Sequence, residues 1–257
     1  MLLCIDVGNS HTSLGLFDGE RLERHLRVTT EQRRTADEWY VLLRGLLGPD
    51  SIESLLTGVA VCSAVPMALP ELRSMLQHYL HDTASLVVGA GVRSGVPVHM
   101  DNPREVGSDR IANALAASTI FGGPCIVVDL GTATTFDVVT SAGAYVGGAI
   151  APGIATALEA LGQRGAQLRR VELVSPRAVI AKNTVEALQS GAVYGFAALV
   201  DGIVTRMVAE LDVERTEVTV VATGGLAPAV LSACEQVDEH EPALTLIGLR
   251  LMFERNR

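Results

Sequence analysis

Lysine is almost missing from this chain of 257 residues: of its 20 basic residues only Lys182 is a lysine. A Walker A loop needs Gly-Lys followed by Ser or Thr, and Lys182 stands between Ala181 and Asn183. That excludes the P-loop and the strand lysine of a protein kinase, so any ATP chemistry must hold phosphates another way. Cysteine is sparse as well. The four cysteines lie far apart with no Cys-x-x-Cys spacing, which argues against a zinc site or a disulfide framework and for a reducing, cytosolic compartment. Cys4, Cys62 and Cys125 sit in β-like apolar runs and read as small buried hydrophobes. No apolar run approaches the ~18–20 uninterrupted residues of a membrane span. The start, Met1-Leu2-Leu3-Cys4-Ile5-Asp6, has no basic segment before its apolar run, so neither a signal peptide nor a membrane partner is expected. Positive charge is also short: a net charge of −9 and a pI near 5.1 speak against a nucleic-acid partner.

What is present alternates between strand and helix patterns. Residues 2–7 read as a buried strand, 8–12 as a tight polar turn, and 14–17 as a returning antiparallel strand closed by Asp18-Gly19. Trp39, Leu42, Leu43, Leu46 and Leu47 fall at helical spacing after Thr35. Residues 59–65 and 85–88 read as strands, 69–80 and 111–120 as helices. Between them lies a Gly-, Pro- and Asp-rich loop over 89–110, long enough to suggest function. Gly122-Gly123-Pro124 breaks the pattern and suggests a boundary, giving domains 1–121 and 122–257. The second half repeats the first. Cys125-Ile126-Val127-Val128-Asp129-Leu130-Gly131-Thr132 echoes Leu2-Leu3-Cys4-Ile5-Asp6-Val7-Gly8-Asn9, with Asp and Gly both displaced by 123 positions (129 − 6 and 131 − 8). Residues 136–139 return as a strand, 218–222 form another that runs into Thr223-Gly224-Gly225, and 246–253 close the chain as a helix.

Turns of this kind present backbone N–H groups and small hydroxyls to phosphate oxygens without lysine. Asp6 and Asp129 end buried strands just before them, where a carboxylate and a phosphate are compatible once a divalent cation, best Mg²⁺, sits between. One Asp-x-Gly turn is weak evidence, because turns commonly follow strands with these residues. Two matched copies and a Gly-Gly strand end together resemble the phosphate and adenosine signatures of the actin/hexokinase/Hsp70 superfamily. The fold expected is therefore α/β, a duplicated actin-like, ribonuclease H-like ATPase fold with two mixed sheets flanked by helices. Phosphoryl transfer also needs a carboxylate beside its acceptor hydroxyl. Gly107-Ser108-Asp109-Arg110 offers one in Asp109 at the start of a helix. The competing reading is that Ser108 or Asp109 simply caps that helix. Arg110 suits an anionic substrate or an exposed ion pair. His78, His81 and the arginines 169, 170 and 177 read as surface.

The chain resembles the type III pantothenate kinases nearly end to end. The resemblance rests on the Asp6–Thr12 turn, Thr35-Ala36-Asp37-Glu38, the stretch from Asp101-Asn102-Pro103-Arg104 to Arg110, and the Asp129–Thr135 turn. It extends through residues 147–153, Lys182-Asn183-Thr184-Val185-Glu186-Ala187, Thr223-Gly224-Gly225 and Leu249-Arg250-Leu251. The resemblance implies an enzyme that phosphorylates pantothenate with ATP, the first step towards coenzyme A, as a cytoplasmic homodimer. It implies that Asp6, Val7, Gly8, Asn9, Ser10, His11, Thr12, Ser13 and Thr132 contact ATP, with Asp6 near Mg²⁺. Gly107, Ser108, Asp109 and Arg110 would hold pantothenate, with Asp109 as proton acceptor, and Thr184 would touch it near the dimer interface. Asp129 would bind the monovalent cation, K⁺ or NH₄⁺. Ser108 replaces the family's usual Ala, Ser10 its commoner Thr, and Met100 a Tyr found in many members. A nucleotide-binding regulator on the same fold is the alternative; the presence of Asp6, Asp109 and Asp129 together speaks against it.

Overall fold

The computed structural model describes residues 1–48, 52, 55–89, 91–164 and 171–257. Its contacts divide the chain into two units, one of residues 1–96, 101–116 and 243–257, the other of residues 97–100 and 117–242.

The first unit is built on a five-stranded sheet. Strands β1 (Leu2–Val7), β2 (His11–Asp18) and β3 (Arg21–Thr29) form an antiparallel meander, and β4 (Gly58–Ser63) and β5 (Ala84–Val87) add on in parallel, in the order β3-β2-β1-β4-β5. Strand β3 was not foreseen, because its charged residues hide the strand signal; it is the exposed edge, where charge discourages further pairing. The two-residue period of β1 decides everything that follows. Leu3, Ile5 and Val7 face helices α1 (Ala36–Leu47) and α2 (Ala68–Tyr79), with Trp39 fully buried there. Leu2 and Cys4 face α6 (Leu244–Arg255), together with Ala60 and Cys62 of β4. Asp6, next in the alternation, ends on that same α6 face. Helix α1 starts where its sequence says it should: the Thr35 side chain accepts from the Glu38 N–H, and Glu38 accepts in return from the Thr35 N–H.

Helix α6 was read from sequence as part of the second half, yet it packs with the first. Helix α3 (Ser108–Phe121) packs against it. At their crossing, a Cβ on Gly248 would lie 2.0 Å from the Ala112 carbonyl oxygen, so the two backbones touch with no room for a side chain. Beside the crossing, the Thr245 hydroxyl donates to the Asn113 side-chain carbonyl at 2.7 Å.

The second unit repeats the topology. Strands β6 (Cys125–Leu130), β7 (Ala133–Val139), β8 (Tyr145–Pro152), β9 (Thr219–Thr223) and β10 (Glu239–His240) run in the order β10-β9-β6-β7-β8. Strand β6 has the bounds of β1 displaced by 123 residues and the same burial pattern, five positions buried and only the Asp half-buried. Ile126, Val128 and Leu130 face a core closed by α5 (Thr184–Leu211), into which Ala192, Val200, Val204 and Val208 project. Asp129 therefore lies on the opposite face. Strand β8 and helices α4 (Ile154–Arg164) and α5 were not anticipated. Over Thr184–Glu210, α5 is long and apolar enough to cross a membrane by composition alone, with a mean hydropathy of 1.5; its residues buried at helical spacing in this core give a simpler account of that apolarity.

Gly248→Ala tests the α3–α6 crossing. A methyl group forced against a backbone carbonyl should cost about 1–3 kcal/mol, read as a lower midpoint in urea unfolding. An unchanged midpoint would mean that the crossing can open freely.

Candidate active site

Asp6 and Asp109 both lie near enough to the Cys62 thiol, on the α6 face of the first sheet, to act on it through their charge. Asp6 is held at the end of β1 by its neighbours on both sides, Ser13 of β2 and Cys62 of β4. The Cys62 thiol donates to Asp6 Oδ1 at 3.2 Å. Burial, first, and then the charges of Asp6 and Asp109 hold that thiol well above its ordinary pKa. Both carboxylates thus act on one buried sulfur.

The hairpin after β1 is firmly braced. The Gly8 N–H donates to the His11 carbonyl at 3.0 Å, the Thr30 N–H to the Ser10 carbonyl at 3.0 Å, and the Thr30 hydroxyl to the Gly8 carbonyl at 2.8 Å. The hydroxyls of Thr12 and Thr30 lie 2.9 Å apart. Thr30, which the sequence did not mark, therefore shapes the turn. The same geometry narrows what the turn can offer a ligand. Val7 and Thr12 are fully buried, Val7 in the core and Thr12 against Thr30, whereas Asn9, Ser10 and His11 are exposed at the tip. His11 Nδ1 is 2.8 Å from Arg27 Nη2, and partial burial, followed by Arg27, lowers its pKa.

Asp109 occupies the first turn of α3, half-buried, with Ser108 and Arg110 on either side. Its position depends on Gly107. A Cβ there would sit 2.3 Å from Asp109 Oδ1, because the carboxylate folds back over the glycine. The approach to this turn is itself capped, with Asn102 accepting from the Arg104 N–H and donating to Glu105 at 2.7 Å.

In the second unit, the Asp129 carboxylate lies against the Gly224 backbone. The Gly131 N–H donates to the Ala133 carbonyl at 3.0 Å, in a turn one residue tighter than its counterpart at Gly8. Thr132 is exposed, and its carbonyl accepts from the Gly153 N–H and the Thr156 hydroxyl, which ties the turn to the start of α4. Thr184 is exposed at the start of α5. Asn183 caps that helix by accepting from the Glu186 N–H at 3.0 Å, and Arg177 binds the Glu186 carboxylate and lowers its pKa. Arg177 thus braces the turn that carries Thr184; arginines 169 and 170 lie outside the described residues. An open cleft of about 480 Å³ adjoins the Gly224-Gly225 turn, lined by Leu173, Val174, Leu226, Pro228 and Ala229.

Two strand-end aspartates thus stand on repeated turns, with a third aspartate at the start of α3, and comparison with known proteins names the family. The family model described as type III pantothenate kinase matches residues 2–206. The chain belongs to that family. It is 61% identical to the type III pantothenate kinase of Thermobifida fusca over 257 residues, covering all of both chains. It is 60% identical to that of Streptomyces avermitilis over 261 residues, covering 100% of this chain and 98% of the relative. Solved structures share the fold at low identity. A conserved putative Baf family transcriptional activator from Campylobacter jejuni aligns with a TM-score of 0.62 at 19% identity, over 99% of this chain and 98% of that one. A ROK hexokinase from Thermus thermophilus aligns with a TM-score of 0.55 at 16% identity, over 100% and 99%. The duplicated actin-like fold expected from the sequence is therefore the fold found. Type III pantothenate kinases are phosphotransferases, and a kinase of this fold uses ATP with a divalent metal. Among the described residues no three His, Cys, Asp or Glu side chains gather into a metal site.

Gly107→Ala separates position from fold. Only the mobile end of the Asp109 side chain must give way, so the melting temperature should stay within about 2 °C of wild type. Turnover should fall by up to ~100-fold as the carboxylate is displaced. Undiminished turnover would show that the position of Asp109 is immaterial.

Proposed function

We propose that this type III pantothenate kinase phosphorylates pantothenate with Asp109 as proton acceptor and Asp6 as the carboxylate on the metal–phosphate side. The observation that supports the reading is that the carboxylates of Asp6 and Asp109 both act on the buried Cys62 thiol. Asp109 takes the proton from the pantothenate hydroxyl as its oxygen forms a bond to the γ-phosphorus and the bond to ADP breaks. Gly107, Ser108 and Arg110 hold the substrate, the Arg110 guanidinium meeting its carboxylate. The exposed tip, Asn9, Ser10 and His11, together with Gly8 and Ser13, meets the phosphates, and Thr132 adds a second contact; Val7 and Thr12 contribute through backbone. Mg²⁺ at Asp6 supplies the charge that lets a carboxylate and a triphosphate share one site. Pro228, Leu226 and Val174 offer apolar walls for an adenine ring.

Asp129 takes a monovalent cation, K⁺ or NH₄⁺, which offsets negative charge where no lysine is available. Thr184 touches pantothenate near a dimer interface. Support for a homodimer comes from α5, whose exposed positions include Gly191, Gly195, Ala198 and Gly202, with Ile180 and Val185 exposed close by. A cytosolic location fits the four free cysteines.

Asp109→Asn should bind ATP and pantothenate with near-normal affinity while turnover drops by ~10²–10⁴-fold. Near-normal turnover would remove Asp109 from the chemistry. For the cation, rates in K⁺ should exceed those in Na⁺ for the wild type, and the difference should vanish in Asp129→Ala. Equal rates in the two salts, or a K⁺ response that survives the substitution, would contradict the assignment.

A further inference from the structure

Cys62 was read from sequence as a small buried hydrophobe, and its surroundings say more. It is the register partner of Asp6 in the parallel β1–β4 pair, so the two side chains project from the same face of the sheet. Its sulfur is completely buried and donates to Asp6 Oδ1 at 3.2 Å. A thiol has a single proton to give, and here Asp6 Oδ1 receives it. The bond therefore holds one oxygen of Asp6, and with it the rotation of the carboxylate about its last torsion, which is otherwise broad.

The repeat supplies an independent observation. In the second unit, Thr223 of β9 is the register partner of Asp129, as Cys62 is of Asp6, and it is only 2% exposed. In both halves a strand-end Asp has beside it, at the same position of the neighbouring parallel strand, a small buried side chain carrying a donor proton. Packing alone would be served equally by Val or Ala at both places.

We propose that Cys62 is a positioning residue for phosphoryl transfer, its S–H bond locking the Asp6 carboxylate in the orientation that meets the metal–phosphate end of ATP. The inference rests on Asp6 acting on the metal side. It makes Cys62 a donor, with no part as nucleophile or metal ligand.

The test compares Cys62→Val, Cys62→Ala and Cys62→Ser in the full chain. The readouts are calorimetric affinity for Mg²⁺·ATP without pantothenate, the Mg²⁺ concentration at half-maximal turnover, and the melting temperature. Val fills the space without a donor, Ala leaves it open, and Ser restores a donor. Val and Ala should each weaken Mg²⁺·ATP binding by roughly 3–10-fold and raise the Mg²⁺ requirement to match. Ser should recover most of that loss whatever its effect on melting; should Val not fold, Ala and Ser decide. Mg²⁺·ATP binding unchanged in the donor-less variants, or Ser falling as far as Ala, would overturn the proposal. Asp6→Asn, measured alongside, separates the two layers. Weakened binding in Asp6→Asn with none in Cys62→Val overturns the role of Cys62 alone. Unchanged binding in Asp6→Asn overturns the metal-side reading of Asp6 and the role of Cys62 with it.

Discussion

A carboxylate at the end of a buried strand is costly to keep charged unless donors or cations compensate it. The first half of this protein is arranged around that constraint at Asp6. Five of the six β1 residues are buried, and Asp6 alone is half-open. The period of the strand turns it towards α6 and the Cys62 thiol, and the hairpin that follows bends back under the control of Thr30. Where lysine is absent, backbone, small hydroxyls and bound cations have to take over its task. At the turn after β1, an exposed tip stands beside the half-buried acid.

The second carboxylate arrives by another route. Asp109 belongs to α3, and α3 is held by α6 at a crossing so close that Gly248 and Ala112 touch through their backbones. Helix α6 in turn packs on Leu2, Cys4 and Phe17, on the face of the sheet that Asp6 shares. The elements that carry Asp6 and Asp109 are thus tied through α6. Residues distant in sequence, 6, 62, 109 and 248, form one mechanical unit. Gly107 completes it, since the carboxylate of Asp109 occupies the space a side chain would need.

Much of this was legible in the sequence. The offset of 123 residues predicted β6 from β1 to the residue, and the helical period after Thr35 anticipated α1. What escaped had physical reasons. Strand β3 carries charge on an open edge, so its alternation is masked by Arg, Glu and His. Strand β8 contains Gly147 and Gly148, which weaken any strand signal. Helix α5 mixes Gly191, Gly195 and Gly202 with apolar residues on most sides, which blurs its period. The placement of α6 with the first unit follows from packing against β1 and β4, and sequence order says nothing of that. At the site, Asp6 and Asp129 could be singled out as acids ending apolar strands, and Asp109 as an acid where a long polar loop meets a helix. Cys62 and Thr30 could not, since a buried thiol and a loop threonine carry no mark until their partners are known.

The central claim is that Asp6 and Asp109 divide the reaction on one face of the first sheet. The most direct measurement is a crystal structure with pantothenate, Mg²⁺ and a non-hydrolysable ATP analogue bound. The account predicts the Asp109 carboxylate within about 2.6–3.2 Å of the pantothenate hydroxyl and Asp6 directed at the metal–phosphate group. A hydroxyl placed instead beside another base, with Asp109 turned away from it, would contradict the account.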